Sequence, residues 1–296
     1  MAGRAYPVTP RTRRLGRRLT QLRRDAGLSQ AEALVELAKR PGAQVKTASA
    51  LSRYETGQVV PPIGTLMSML EVYGLGKDSP EFQNLVATAR AATTPDWWAG
   101  HGKALAGEYQ MYIGYEDEAT DLSTFEAHVF PGQLQTRDYA SAVIAAGHPP
   151  DSPEFTSLLH TRMARQKLLH GEDVRPPLRL HTVISETVLH TVVGGPDVMR
   201  AQILHVTEIA ATLPHVTVQV LRFAAGPHRA DSHSFTILGF GPDEPHMAYF
   251  ETLGGQIFLE DPDQVSRVIG VHDTLKTLAM PPADSLAFMK ERAHAF

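Results

Sequence analysis

Leu22-Arg23-Arg24-Asp25-Ala26-Gly27-Leu28-Ser29-Gln30, followed by Thr47-Ala48-Ser49-Ala50-Leu51-Ser52-Arg53-Tyr54-Glu55-Thr56-Gly57, decides how this chain is read. Leu15, Leu19 and Leu22 recur at i, i+4 and i+7, so the first stretch ends an amphipathic helix that turns Arg17, Arg18 and Arg24 away from its buried stripe. Gly27 stops it, because glycine tolerates left-handed dihedrals. Ser29 is a suitable N-cap for a second helix with Ala31, Leu34, Val35 and Ala38 on one stripe, and Pro41-Gly42 breaks that pattern. Thr47 caps a third helix, with Leu51 and Tyr54 pointing inward and Ser49, Ser52, Arg53 and Thr56 forming an outward polar face. A fourth helix after Pro61-Pro62 buries Leu66, Met69, Leu70 and Tyr73, and Phe82 to Ala89 reads as one more, leaving the bundle. Two helices joined by a connection, the later one polar outside and flanked by arginines, suit insertion into a DNA major groove.

Charge separates the two ends of the chain. The whole sequence of 296 residues carries 28 Lys+Arg against 32 Asp+Glu, a net of −4. Residues 1–60 hold 12 basic and 4 acidic side chains, a net of +8, which leaves −12 to the remainder. A basic segment before an acidic body is the electrostatic footprint of a nucleic-acid-binding end.

Leu19-x-x-Leu22-Arg23, Gly27-Leu28-Ser29-Gln30 and Leu51-Ser52-Arg53-x-Glu55-x-Gly57 resemble the phage-repressor-like (XRE-type) helix-turn-helix family. The resemblance implies that Gln30 meets the DNA backbone and braces the recognition helix. It also implies that Arg23 and Glu55 pair to lock the first helix against the end of the third, with Leu28, Leu51 and Tyr54 in the core. Ser49, Ala50, Ser52 and Arg53 fall where that family places base or phosphate contacts, and Lys46 and Thr47 stand at the start of the same helix. Arg13 and Arg14, with Arg4 and Arg11, are expected to reach phosphates or the minor groove. The chain departs from the family in having about seven more residues between Gln30 and Arg53 than the usual spacing. The turn is therefore either a longer loop or an extended second helix, and Lys39, Arg40 and Lys46 suit phosphate contacts there.

The expected organisation is an all-α helix-turn-helix domain over residues 1–92, a linker over 93–96 at Thr93-Thr94-Pro95, and an acidic α+β domain with a mainly antiparallel sheet over 97–296. Trp97 and Trp98 are expected to anchor a core. Helices are read around Tyr139–Ala146 and Phe155–Met163, then strands at Leu178–Ile184, Val216–Phe223, Ser234–Phe240, Ala248–Glu251 and Gln256–Leu259. A helix over Pro196–Leu213 separates the first two strands, and helices over Val265–Leu278 and Ser285–Ala295 close the chain. With no cysteine there is neither a disulfide nor a thiolate metal site. No apolar run reaches membrane length, and the arginine-rich start lacks the apolar region of a signal peptide, so the expectation is a cytoplasmic protein with no membrane partner.

A second resemblance covers nearly all of residues 97–290. Tyr112-Ile113-Gly114-x-Glu116-x-Glu118-Ala119-Thr120, Pro131-Gly132-Gln133-Leu134-Gln135-Thr136-x-Asp138-Tyr139-Ala140 and Arg162-x-x-Arg165-Gln166 come first. Val193-Gly194-Gly195-Pro196, Val216 to Leu221 and Leu259-Glu260-Asp261-Pro262 follow in order. Together they look like the C-terminal domain of an actinobacterial group of XRE-type regulators described as Scr1-like or antitoxin-like, commonly encoded beside a small partner protein.

Chemistry in this region is sparse. Fourteen histidines are scattered, and the closest pair, His228 and His233, has only Asp231 nearby as a further ligand type, so no cofactor or metal is expected. Glu116 and Glu118 near Glu126 resemble a carboxylate pair, but no nucleophile–base pattern, phosphate loop or His-Glu-x-x-His motif accompanies them, and no enzyme is expected. Glu116, Gln135, Arg162, Arg165, Gln166, Tyr249 and Glu251 form a partner- or ligand-binding pocket if they converge; the alternative is that the arginines cover a helix face. The reading that follows is a homodimeric regulator of double-stranded DNA whose C-terminal domain binds a small protein from a neighbouring gene. Direct sensing of a small molecule by that domain is the alternative.

Overall fold

The computed structural model describes residues 10–92, 107–171, 176–230, 233–241 and 244–296. The chain divides into two compact units, Met1–Gly100 and His101–Phe296. Arg4, the expected linker 93–96, Trp97-Trp98 and Asp231 lie outside the described residues.

The first unit contains five helices among its described residues: α1 (Pro10–Asp25), α2 (Gln30–Ala38), α3 (Ala48–Glu55), α4 (Ile63–Val72) and α5 (Pro80–Ala91). Gly27, at φ 71°, ends α1. Ser29 caps α2 through a full capping box with Glu32, in which each side chain serves the other residue's backbone N–H. Leu15, Leu19, Leu22, Leu37, Leu51, Leu66, Met69 and Leu70 share one core. Phe82, Leu85, Val86 and Ala89 join the same core, so α5 completes the bundle instead of leaving it. The extra residues before α3 form a loop: α2 stops at Ala38, Val45 is buried, and the backbone N–H of Gln44 donates to Thr65 Oγ1 at 3.0 Å.

Backbone meets backbone where α1 crosses the end of α3. A Cβ on Gly16 would stand 2.4 Å from the Gly57 nitrogen, and one on Gly57 would stand 2.4 Å from the Thr12 carbonyl. Gly57 also has φ 69°, so a side chain there meets both steric and conformational opposition.

The second unit is built on a six-stranded mixed sheet, mostly antiparallel, in the order β3-β2-β1-β4-β5-β6. Its strands are β1 (Asp121–Glu126), β2 (Arg179–Ser185), β3 (Val216–Leu221), β4 (Phe235–Gly239), β5 (Met247–Thr252) and β6 (Gly255–Leu259). β1, β2 and β3 run parallel, joined by crossovers through α7 (Arg137–Ala145) with α8 (Pro153–Arg165), and through α9 (Pro196–Thr212). β4, β5 and β6 add on antiparallel. One sheet face, with Leu122, Leu180, Ile184, Val218, Leu238 and Met247, joins the main core shared with α9 and α11 (Pro282–Ala293). The other face, with Phe125, Val183, Phe235 and Ile237, packs on Leu275 of α10 (Pro262–Leu278).

The stripe read for α2 is displaced: Ala33 and Leu37 are buried, whereas Ala31, Val35 and Ala38 are exposed. In the second unit two elements are missing from the sequence reading. The central strand β1 has no counterpart in it, because Asp121-Leu-Ser-Thr-Phe-Glu126 carries few apolar residues. Thr124 instead donates to Thr182 of β2 at 2.8 Å, a buried polar link in place of the apolar pair that would signal a strand. The helix α6 (Gly107–Glu118) is equally silent in the sequence, since Tyr112, Ile113, Tyr115 and Glu116 are all buried and leave no single stripe.

Candidate functional site

In the first unit, the carboxylate of Glu55 organises the helix-turn-helix. Its Oε1 accepts from Arg23 Nε at 2.7 Å and Tyr73 Oη at 3.1 Å; its Oε2 accepts from Arg23 Nη2 at 3.0 Å and Gln30 Nε2 at 2.8 Å. Arg23 Nη1 also donates to the Leu28 carbonyl at 2.7 Å, tying the turn after α1 to the same cluster. Glu55 is 4 % exposed, so its charge is held by hydrogen bonds in place of water. The Glu55 hydrogen bond raises the Arg23 pKa further above its usual range. Burial, then Glu55, pushes the Tyr73 phenol up, keeping it a neutral donor.

This cluster joins α1, the start of α2, the end of α3 and the end of α4. It positions α3 so that Lys46, Thr47, Ser49, Arg53 and Thr56 are exposed and Ser52 is half-buried. Thr47 Oγ1 accepts from the Ala50 amide at 3.1 Å, so its side chain caps the helix while its residue surface stays accessible. Gln30 is half-buried, with its amide spent on Glu55. Arg13 and Arg14 are half-buried on the first turns of α1, beside the Gly57 crossing. Arg13, Arg24, Lys46 and Arg53 have no carboxylate partner among the described residues, which leaves four cations for an external anion.

In the second unit, a cleft of about 130 Å³ opens between α6, α8, the Val129–Gln135 loop and the strands β4 and β5. It brings together Gln135, Arg162, Arg165, Tyr249 and Glu251, the residues whose convergence the sequence left open, and adds Glu126, Tyr109 and Tyr112. Two of the sequence candidates stand elsewhere. Glu116 is fully buried, bonded to Arg165, Gln133 and Tyr112, and is not among the cleft-lining residues. Gln166 does not line the cleft; its amide donates to the carbonyls of Gly132 and Gln135 and fixes the loop.

The electrostatics of the cleft are layered. Arg165 is clamped by both Glu116 oxygens, donates to Tyr109 Oη at 2.7 Å, and has its Cζ 5.1 Å from the Tyr112 ring centre. Burial opposes the Arg165 charge, but Glu116, Tyr109 and Tyr112 more than restore it. Arg162 Nη1 donates to Gln135 Oε1 at 3.0 Å, while its Nε is buried without a hydrogen-bond partner. Glu126 is pushed up to about 8 by burial and by the nearby Glu251, against the pull of Arg162, the Ser234 hydroxyl and Arg165. The sequence presents Glu126 only as a carboxylate near Glu116; its place in the cleft follows from β1, which carries few apolar residues and ends there.

Elsewhere, His228 Nδ1 accepts from the Ala230 amide at 3.3 Å and the His233 amide donates to the Ala230 carbonyl at 3.2 Å. Among the described residues no group of three or more His, Asp or Glu is placed to hold a metal ion, and no helix is long and apolar enough to cross a membrane.

Two family models match. A helix-turn-helix domain matches residues 14–81, which cover most of α1, all of α2 to α4 and the Glu55 cluster. This points to DNA binding and transcription regulation, and to a regulator in preference to an enzyme. Neither a curated protein nor a solved structure matches the chain. The second match, over residues 109–291, spans the sheet, the cleft and more than half of the sequence: the chain belongs to the family of the domain of unknown function DUF5753, here preceded by a helix-turn-helix domain.

Proposed function

We propose that this protein is an XRE-type, sequence-specific transcription regulator that reads the major groove with α3. The observation that carries the reading is the exposed polar face of α3, with Ser49, Arg53 and Thr56, held in place by the buried Glu55 cluster. Lys46, Thr47, Ser49, Ser52 and Arg53 make the groove contacts, Gln30 supports the helix near the backbone, and Arg13 and Arg14 add phosphate contacts. A single eight-residue helix reads few base pairs, so a homodimer on a pseudo-palindrome is the functional unit. Footprinting on the DNA upstream of its own gene tests this: protection of two half-sites is expected. An unchanged footprint with Ser52→Ala/Arg53→Ala would remove the helix assignment.

The C-terminal unit acts, in this proposal, as a recognition module for a small protein encoded by a neighbouring gene, in the antitoxin-like manner of the actinobacterial group it resembles. Support comes from the net −12 outside residues 1–60 and from the resemblance in sequence. Co-expression with the adjacent short reading frame and co-purification at low salt tests it. The second reading, direct sensing of a small molecule, is favoured by the polar cleft. Mass spectrometry of the purified protein for a retained ligand distinguishes the two.

A further inference from the structure

We propose that the cleft between α6, α8 and β5 is a receptor for a single carboxylate, which docks on the Nε–Nη2 edge of Arg162. This deepens the recognition reading of the C-terminal unit, for a protein partner or a small molecule alike, and rests on it.

Both arginines that are buried among the described residues bind a carboxylate in the same way. Arg23 donates from Nε and Nη2 to the two oxygens of Glu55 at 2.7 and 3.0 Å. Arg165 donates from Nε and Nη2 to the two oxygens of Glu116. This edge of a guanidinium carries two parallel N–H groups, matched to the spacing of a carboxylate's oxygens. Arg162, one helical turn before Arg165 on α8, spends Nη1 on the neutral amide oxygen of Gln135 at 3.0 Å. Its Nε and Nη2 have no hydrogen-bond or ion-pair partner among the described residues, and Nε is buried. A buried donor left unpaired is costly, and only an acceptor can satisfy it.

The surroundings favour this occupant. Arg165 is already neutralised by Glu116, so the cation that lines the cleft without a carboxylate of its own is Arg162. Glu126 is protonated at neutral pH, so it neither fills the Arg162 edge nor repels an anion. Glu251 is exposed, and solvent screens its charge. Gly132 faces Arg162 Nε without a side chain; a Cβ there would stand 3.8 Å from that nitrogen and from Arg165 Nη1. A single hydrogen bond, to Gln135, holds the Arg162 guanidinium, so its fork turns toward the cleft at small cost. A space of about 130 Å³ holds roughly four waters at ~30 Å³ each, enough for a carboxylate on a short chain but not for a nucleotide. Tyr109, Tyr112 and Tyr249 give that chain a wall, with Tyr112 and Tyr249 stacked at 4.2 Å. Two sources carry the same head group: a free short-chain carboxylate, and an aspartate or glutamate side chain of a protein.

Calorimetric titration of the full chain at pH 7 tests the proposal. The probes are acetate, propionate, Nα-acetyl-glutamate methylamide, the uncharged propionamide, n-propylammonium and phosphate. Saturable binding of at least one carboxylate is expected, about tenfold or more tighter than propionamide. Arg162→Lys keeps the charge and loses the fork, and should weaken that binding about tenfold or more with circular dichroism unchanged. Glu126→Gln, whose amide donates as the protonated carboxyl does, should leave it within about twofold. In the wild-type protein the Arg162 Nε–H resonance should shift on saturation, a readout independent of how well any variant folds. Saturation by acetate or propionate assigns a small-molecule source; saturation by the capped glutamate alone assigns a protein side chain. Equal binding of propionamide, preferential binding of n-propylammonium or phosphate, undiminished affinity in Arg162→Lys, a loss in Glu126→Gln as large as in Arg162→Lys, or no saturable heat with any carboxylate would overturn it. Failure of these titrations beside a co-purified neighbouring protein, or a retained ligand of other chemistry, would reject the carboxylate site and keep the recognition reading.

Discussion

Arg23 and Glu55, 32 residues apart in sequence, meet as a two-oxygen pair at 2.7 and 3.0 Å, and this contact holds the first helix of the bundle against the end of the third. The pair is buried, so its contribution is better judged by what its removal leaves behind than by its Coulomb attraction. A guanidinium left without its carboxylate in the interior is costly.

Glu55→Gln should therefore weaken the first unit by about 3–5 kcal/mol, while Tyr73→Phe, which removes one donor and leaves the ion pair, should cost about 1 kcal/mol. Hydrogen–deuterium exchange of the α3 amides in the full chain reads both. A smaller effect for Glu55→Gln than for Tyr73→Phe would show that the pair is not the organising contact.

Replacing Ser52 or Arg53 by Ala should reduce operator affinity by about 1–3 kcal/mol where the side chain bonds a base edge, with circular dichroism and α3 exchange unchanged. Neither side chain lies in the core of the bundle. Gel-shift titrations at two salt concentrations separate the roles. Removing a phosphate partner flattens the salt slope, and removing a base partner relaxes sequence preference at one position.

Glu126 imposes a pH dependence of definite sign. Its pKa lies near 8 in the folded state and near the ordinary carboxylate value of about 4.3 in the unfolded chain. Between those values the unfolded state has released a proton that the folded state keeps, so this group lowers stability as pH rises through that window. Above about pH 8 the penalty is constant. Unfolding midpoints of the C-terminal unit from pH 5 to 9 should show a downward trend that Glu126→Gln removes.

His272 acts in the opposite direction. Burial, then His181 and Lys276, lowers it to about 4, and its Nε2 is buried without a hydrogen-bond partner. The unfolded state takes up a proton near pH 6.5, before the folded state does, so stability present above that value is lost as pH falls toward 4. His272→Phe should reduce this acid sensitivity, read by exchange at the α10 amides between pH 7 and 4.5. An unaltered acid profile would place the titrating group elsewhere.

Local order is legible in the sequence wherever one residue suffices to state it. Gly27 ends α1, Ser29 and Thr47 cap α2 and α3, and the Leu15-Leu19-Leu22 stripe goes into the core, because capping and helical periodicity act within one or two turns. Five strands are readable from alternating or continuous apolar runs. The sixth, β1, is not: its place in the sheet is set by neighbours on both sides, and its own Ser123 and Thr124 carry no apolar signal. Tertiary structure alone decided which polar residues share the cleft. Glu116 and Gln166 are as plausible from sequence as Arg162 and Glu251, yet Glu116 is drawn beneath the cleft by Arg165 and Gln166 is turned to the loop carbonyls. Glu126 enters the cleft because β1 ends there. A side chain's chemistry is written in its residue type, whereas its burial and partners, and with them the protonation of Glu126, exist only once distant segments have packed together.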